Sequence, residues 1–292
     1  MVEQDWLAER FEEQRPRLRA VAYRMLGSLS EADDAVQDAW LRLSRADTSE
    51  VENLGAWLTT VVARVSLNML RSRKTRGEQS LDVHLPDPVV DRADGTDPEH
   101  EALLADSVGL ALLVVLETLA PAERLAFVLH DMFGVPFDDI APIVDRSSEA
   151  ARQLASRARR RVRGAAVPSD ADLAAQWEVV DAFLAAARSG NFDALVAVLD
   201  PQVVLRADGG ATGLSREVHG AETVAGQAIM WSRVDLRLRR ALINGAAGIV
   251  STRKGQPFSV GAITVRDGKI VEIDILADPE RLRRLDFSML DD

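Results

Sequence analysis

Apolar residues recur at helical spacing over two long stretches, residues 6–76 and 102–164, and neither shows strand-like alternation. In the first, Ala32, Ala35, Val36, Ala39, Trp40 and Leu43 predict one buried helical face. Asp33, Asp34, Gln37 and Asp38 fall opposite, with Leu41 at the edge. Over residues 55–76, Trp57, Leu58, Val61, Val62, Val65 and Met69 make a core stripe. Thr60, Arg64, Asn68 and Arg71 make a polar stripe, extended by Arg73, Lys74 and Arg76. In the second stretch Phe137, Ile140, Ile143 and Val144 predict a short helix, broken by Asp145-Arg146-Ser147-Ser148. Either serine can cap the next helix by accepting its free N–H groups. That helix carries Arg152, Gln153, Ser156 and Arg157 on about one face and ends in Arg159, Arg160, Arg161 and Arg163. Pro142 lies inside the first helix, where a missing N–H costs about 3 kcal/mol, so that helix is expected to be short or kinked.

Beyond residue 172 the pattern changes. Helices are expected from about Leu173 to Arg188 and from Phe192 to Leu199, then period-two strands at 202–207, 234–243, 247–253, 258–266 and 269–276. Asp267-Gly268 between the last two is a hairpin turn, and helices followed by an antiparallel meander imply an α+β domain. Residues 78–101 contain Pro86, Pro88, Asp94-Gly95 and Pro98 and read as an extended linker, and residues 164–169 as a short break. The expected organisation is multidomain: an all-α domain at 1–77, the linker at 78–101, a second all-α domain at 102–164 and an α+β domain at 172–292.

Charge and composition narrow this. The 292 residues carry a net charge of -11, but the acidity is local. Residues 78–101 hold 8 acidic and 1 basic side chains and residues 170–292 hold 18 and 14, while residues 1–77 hold 12 of each and residues 102–169 hold 8 of each. The helix-turn-helix segment is therefore polarised, with its arginines gathered at one end. No cysteine is present, which excludes disulfides and cysteine-ligated zinc. His84, His100, His130 and His219 are too scattered for a metal site, so no metal and no cofactor are expected. A charged N-terminus and no long apolar run point to a cytoplasmic protein without a membrane contact.

The candidate chemistry is recognition. Polar side chains on a helix slim enough for the major groove, backed by arginines, suit DNA readout by Arg152, Gln153, Ser156 and Arg157. The stripe of Thr60, Arg64, Asn68, Arg71, Arg73 and Lys74 can track a phosphate backbone while Asn and Thr reach bases. The polar loop 46–54 before it is placed to catch an unstacked base. Three aspartates crowded on one helical face repel mildly and invite a basic partner. A pair of carboxylates, Glu272 and Asp274, shares one face of its strand with Val271, Ile273 and Ile275 opposite. If that face lined a cavity, a carboxylate there would suit proton abstraction.

The order of EADDAVQDAWLRL, GAWLTTVVARVSLNMLRSRK, a linker, LAPAERLAFVLHDMFGVPFDDIA and a helix-turn-helix resembles the extracytoplasmic-function sigma factors of bacteria, over residues 6–164. The resemblance implies that Asp34, Gln37, Asp38 and Leu41 dock RNA polymerase core, chiefly a coiled coil of its β′ subunit with β also a partner. It implies that residues 57–74 and the loop before them melt and read the −10 promoter element, at the cost of a few kcal/mol for a flipped base. Arg152, Gln153, Ser156 and Arg157 would then read the −35 element, and the linker would follow the nucleic-acid path.

The last domain resembles the SnoaL-like, or nuclear-transport-factor-2-like, cone, helices around a curved antiparallel sheet. It does so in its order of elements, in AAARSGNFD and in ITVRDGKIVEIDIL. In a subgroup of these sigma factors that carries such an extension, three motifs recur. Here they read Leu85-Pro86-Asp87-Pro88, Asp208-Gly209-Gly210-Ala211 and Asp278-Pro279-Glu280-Arg281-Leu282, departing from the subgroup at Ala211 and Asp278. The implication is a fused regulator of promoter opening, with no reaction catalysed and a small-molecule ligand as an option. Two other classes stay open: a ligand-responsive DNA-binding regulator acting without polymerase, and a SnoaL-like enzyme fused to a DNA-binding module.

Overall fold

A computed structural model describes residues 2–46, 51, 53–76, 83–95, 109–165, 170, 172–210, 213 and 215–287. Most of the loop 46–54, Ala211 and the side chains of Lys74 and Arg76 lie outside the described residues. The chain divides into two compact units, residues 1–79, 101–106 and 115–165 in one, and 80–100, 107–114 and 166–292 in the other. The first helical stretch and most of the second thus share one unit, while residues 107–114 and the linker residues 80–100 go with the C-terminal domain.

The first unit begins with α1 (Val2–Leu26), α2 (Leu29–Leu43) and α3 (Leu54–Arg76). Ser28 caps α2, accepting from the Glu31 N–H, and α2 buries Ala32, Ala35, Val36, Ala39 and Leu43, the face its periodicity requires. Trp40 tilts against Phe11 of α1 with ring centroids 5.1 Å apart. On α3, Leu58, Val62 and Val65 are buried, while Trp57, Val61 and Met69 are half-buried. Helix α4 (Leu110–Glu117) begins among the residues of the second unit and ends in the first, where α5 (Pro121–Phe127) and a π-helical turn at Val128–Met132 follow. Then α6 (Phe137–Val144) and α7 (Ser148–Ala165) form the helix-turn-helix.

Pro142 is accommodated because α6 has 8 residues and ends at Asp145, whose φ of 55° is left-handed. In so short a helix the missing N–H forfeits one bond, which settles the expectation in favour of a short helix. Ser147 is the capping serine, accepting from the Ala150 N–H at 3.2 Å. Ser148 instead donates to Asp138 and ties the two helices together. Two buried arginines join the early helices to the later ones. Arg124 donates through Nε to the Arg24 carbonyl at 3.0 Å, and Arg24 lies over the Phe133 ring at 4.9 Å.

In the second unit α8 (Leu173–Ser189), α9 (Phe192–Val198) and α10 (Ala221–Ser232) pack on a seven-stranded sheet. Its strands are β1 (Val90–Arg92), β2 (Leu199–Asp208), β3 (Arg216–His219), β4 (Arg237–Ile243), β5 (Ala246–Arg253), β6 (Gln256–Arg266) and β7 (Lys269–Leu276), in spatial order β1-β4-β5-β6-β7-β2-β3. The meander β4 to β7 is antiparallel as expected, and Asp267 and Gly268 both take positive φ in its last turn. The sheet is mixed, however, because β2 pairs with β7 in parallel. A meander-only reading misses this, since β2 meets β7 only after β3, α10 and the whole meander, with Leu205 opposite Ile273. The linker supplies β1, which pairs antiparallel with β4 through Val90–Ile243 and Arg92–Ala241.

Val203, Leu205, Ile263, Val265 and Ile273 face the helices and form the core with Val180, Phe183 and Val224. By strand alternation Glu272 and Asp274 therefore lie on the opposite face of the sheet, away from that core.

Candidate functional site

On α2, Asp34, Gln37 and Leu41 are exposed and Asp38 is half-buried. Two of the crowded aspartates find cations within the unit: Asp33 pairs with Arg19 at 2.7 Å and Asp38 with Arg42 at 2.9 Å. The outer face that remains combines a carboxylate, an amide and an apolar side chain, with Leu41 42% exposed. Such a mixture suits protein docking better than solvation alone, because exposed leucine gains from burial and the charge supplies register.

On α3, Arg64, Asn68 and Arg71 are exposed and fall on one stripe. Thr60 is half-buried and its hydroxyl donates to the Ala56 carbonyl at 3.1 Å. Arg73, expected as a DNA contact, has partners within the unit. It is half-buried, forms an ion pair with Glu31 and donates to the Leu26 carbonyl at 3.1 Å, so it fastens α3 to the α1–α2 corner. A cleft of about 330 Å³ lies between α2 and α3, lined by Glu31, Asp38, Arg42, Val65, Asn68, Met69, Ser72 and Arg73. It joins the acidic helix to the polar stripe.

On α7, Arg152, Gln153, Ser156 and Arg157 are all exposed on the helix of the helix-turn-helix that faces outward. The arginine-rich end is more committed than its sequence suggests. Arg157 pairs with Glu123 at 2.7 Å, Arg161 reaches the same carboxylate at 3.5 Å, and Arg159 pairs with Asp131. A phosphate must compete with those carboxylates for the guanidinium groups, which stay accessible enough to exchange.

The three motifs of the second unit converge on one side chain, Arg281, that the sequence pattern alone does not single out. Asp278 caps the short helix α11 (Pro279–Leu282) by accepting from the Glu280 and Arg281 N–H groups, and this turn presents the guanidinium. Arg281 donates to Asp87 at 2.6 and 2.8 Å, to Asp208 at 2.8 Å and to the Leu85 carbonyl at 2.6 Å. Asp208 also accepts from the Leu85 and Gly210 N–H groups, at 2.9 and 3.0 Å. Gly210 sits at φ +67°, and a Cβ there would lie 2.3 Å from the Asp278 carboxylate, so glycine is required twice over. Gly209 donates to the Ser215 hydroxyl at 3.2 Å. Leu85, Pro86, Asp87 and Pro88 are buried, as is Leu282.

The carboxylate pair Glu272 and Asp274 shares one cation. Arg206 of β2 reaches Asp274 at 3.1 Å, Glu272 at 3.6 Å and Glu217 of β3 at 3.1 Å, and Glu217 in turn meets His219. Burial pushes Glu272 up to about 7, aided by repulsion from Asp274 and opposed by Arg206. Burial raises Asp274 too, again against the pull of Arg206. Because the folded Glu272 holds its proton above the usual 4.5, the folded state binds more protons between about 4.5 and 7. Stability on this account falls as pH rises through that window. Glu272→Gln is therefore expected to gain about 2 kcal/mol at pH 8 and little at pH 4. The figure follows from about 1.4 kcal/mol for each tenfold change in proton affinity, discounted for partial exposure. Urea unfolding at the two pH values measures it, and equal gains at both would show that Glu272 does not titrate as described.

Among the described residues no helix is long and apolar enough to cross a membrane, and no cluster of His, Asp and Glu is arranged to hold a metal ion.

A helical unit that presents an acidic helix face, a basic-polar stripe and a helix-turn-helix has the architecture of a sigma-70-type initiation factor. Residues 10–76 match the model for Sigma-70 region 2 and residues 109–162 that for Sigma-70, region 4. Over 287 residues the chain is 40% identical to the ECF RNA polymerase sigma factor SigJ of Mycobacterium tuberculosis, covering 93% of this chain and 91% of that protein. It is 34% identical over 287 residues to the probable ECF RNA polymerase sigma factor SigI of the same organism, covering 97% of each. The crystal structure of the Mycobacterium tuberculosis extracytoplasmic function sigma factor SigJ superposes with a TM-score of 0.76 at 36% identity, over 95% of this chain and 99% of that one. The chain belongs to the ECF RNA polymerase sigma factors, which direct promoter-specific initiation of transcription.

Proposed function

We propose that this sigma factor docks core polymerase through Asp34, Gln37, Asp38 and Leu41, works the −10 element with α3 and the −35 element with α7, and is tuned by its own C-terminal domain. The observation that carries the reading is that the exposed stripe Arg64–Asn68–Arg71 shares one compact unit with the exposed face Arg152–Gln153–Ser156–Arg157. Arginine and asparagine at that spacing suit a backbone and its unstacked bases. On α7 the same residue types suit base edges in the major groove. Thr60 and Lys74 join the −10 set by position, and Arg73 supports it from behind.

The C-terminal domain contributes regulation rather than catalysis. Support for this comes from Arg206, which occupies Asp274 with an ion pair, and from the face carrying Glu272 and Asp274, which is not the helix-packed one. Support for regulation comes from the Arg281 junction, which gathers Leu85–Pro88 of the linker, Asp208–Gly210 and Asp278–Leu282. No small-molecule ligand is invoked for it.

The test is charge reversal on α2. Asp34→Arg combined with Asp38→Arg is expected to reduce co-purification with core polymerase at least tenfold and to abolish run-off transcription, while helix content by circular dichroism is unchanged. Undiminished core binding would overturn the docking face. A protein that binds promoter DNA and regulates without core polymerase in the same assay would favour a polymerase-independent regulator.

A further inference from the structure

His130, Phe137 and Arg152 form a stack at the base of the DNA-facing helix α7. The His130 and Phe137 rings lie 3.8 Å apart at 27°, and the Arg152 guanidinium lies over the Phe137 ring, 5.3 Å from its centroid. His130 is itself held, its Nδ1 donating to the Val135 carbonyl at 3.0 Å. It rides on the π-helical turn Val128–Met132, where one extra residue per turn re-aims a side chain. Phe137 opens α6, and the Ser148–Asp138 bond fixes the start of α6 against the start of α7. Arg152 also gives one Nη1 bond to Glu149 at 2.7 Å.

A solvent-facing arginine ordinarily samples many rotamers and loses about 2 kcal/mol of freedom when it must point one way. Here an aromatic face and a carboxylate restrict a planar, forked cation before any partner arrives. We propose that Phe137, backed by His130, is the positioning platform that aims Arg152 at a guanine in the −35 element, where the fork meets O6 and N7 together. A phosphate contact would not need the aim, because phosphate accepts a cation from many directions. The proposal rests on the reading that α7 faces the −35 element.

The test uses holoenzyme assembled from core polymerase and the full chain, selected on a promoter library randomised across the −35 element and sequenced. Arg152→Ala is expected to erase a guanine preference at one position, about tenfold. Phe137→Leu should lower that same preference about fivefold and leave other positions unchanged. Phe137→Tyr, which keeps the ring, should restore it, and thermal melting checks that each variant is folded. A uniform loss across all sequences in Phe137→Leu overturns the proposal in favour of a structural or phosphate role. An effect of Gln153→Ala or Arg157→Ala on sequence preference without one from Arg152→Ala overturns it while keeping α7 as the reading helix. No −35 preference in the unaltered protein overturns both.

Discussion

Replacing Arg281 by alanine is expected to destabilise the second unit by about 3 kcal/mol and to free the linker residues it holds. The reasoning is electrostatic. Arg281 is the cation shared by Asp87 and Asp208, which are 8% and 2% exposed. Removing the cation from buried carboxylates costs about 3–5 kcal/mol, and the slight access of water, with the N–H donors that Asp208 keeps, favours the lower figure. The Leu85 carbonyl loses its donor as well. Urea unfolding of the full chain reads the stability, and amide exchange over residues 84–92 reads the release, expected to quicken at least tenfold. Run-off transcription from the same variant is expected to change in step if the junction regulates. A loss under 1 kcal/mol with unaltered exchange would mean that apolar burial of Leu85 and Val89 suffices to hold the segment.

Arg206→Met should be the second large effect, and it should depend on pH. Arg206 is the cation that draws Glu272 and Asp274 toward their charged forms against burial. Methionine fills similar volume but leaves both carboxylates to face each other and Glu217 without it. Their protons are then held to still higher pH in the folded state, so stability falls more steeply as pH rises. The variant is expected to lose about 3 kcal/mol at pH 8 and much less at pH 5, where protonation relieves the repulsion. Unfolding at the two pH values decides it. An equal loss at both would assign Arg206 a packing role.

Much of this molecule is written locally. The buried face of α2, the stripes of α3 and the two helices of the helix-turn-helix follow from residue spacing, because a helix is made of contacts three and four residues apart. The last hairpin is equally plain from Asp267-Gly268. Asn244-Gly245 and Lys254-Gly255 take the same positive-φ pair and mark the other meander turns, a second local signal of the same kind. The strand β3 and helix α10 carry weaker patterns, and periodicity does not find them.

The sequence by itself determined most of the helices, the meander, the family motifs and most of the outward-facing residues of α2, α3 and α7, with Asp38, Thr60 and Arg73 half-buried instead. Tertiary structure alone decided how the charged side chains are used. Arg73, expected as a DNA contact, also pairs with Glu31 and the Leu26 carbonyl, and the acidic linker adds β1 to the edge of the C-terminal sheet. Arg281 meets the Leu85 carbonyl 196 positions away, and Asp208 meets the Leu85 N–H across 123. Periodicity reports which face of an element is buried, but an ion pair depends on which distant carboxylate the fold brings within about 3 Å, and no local pattern encodes that distance.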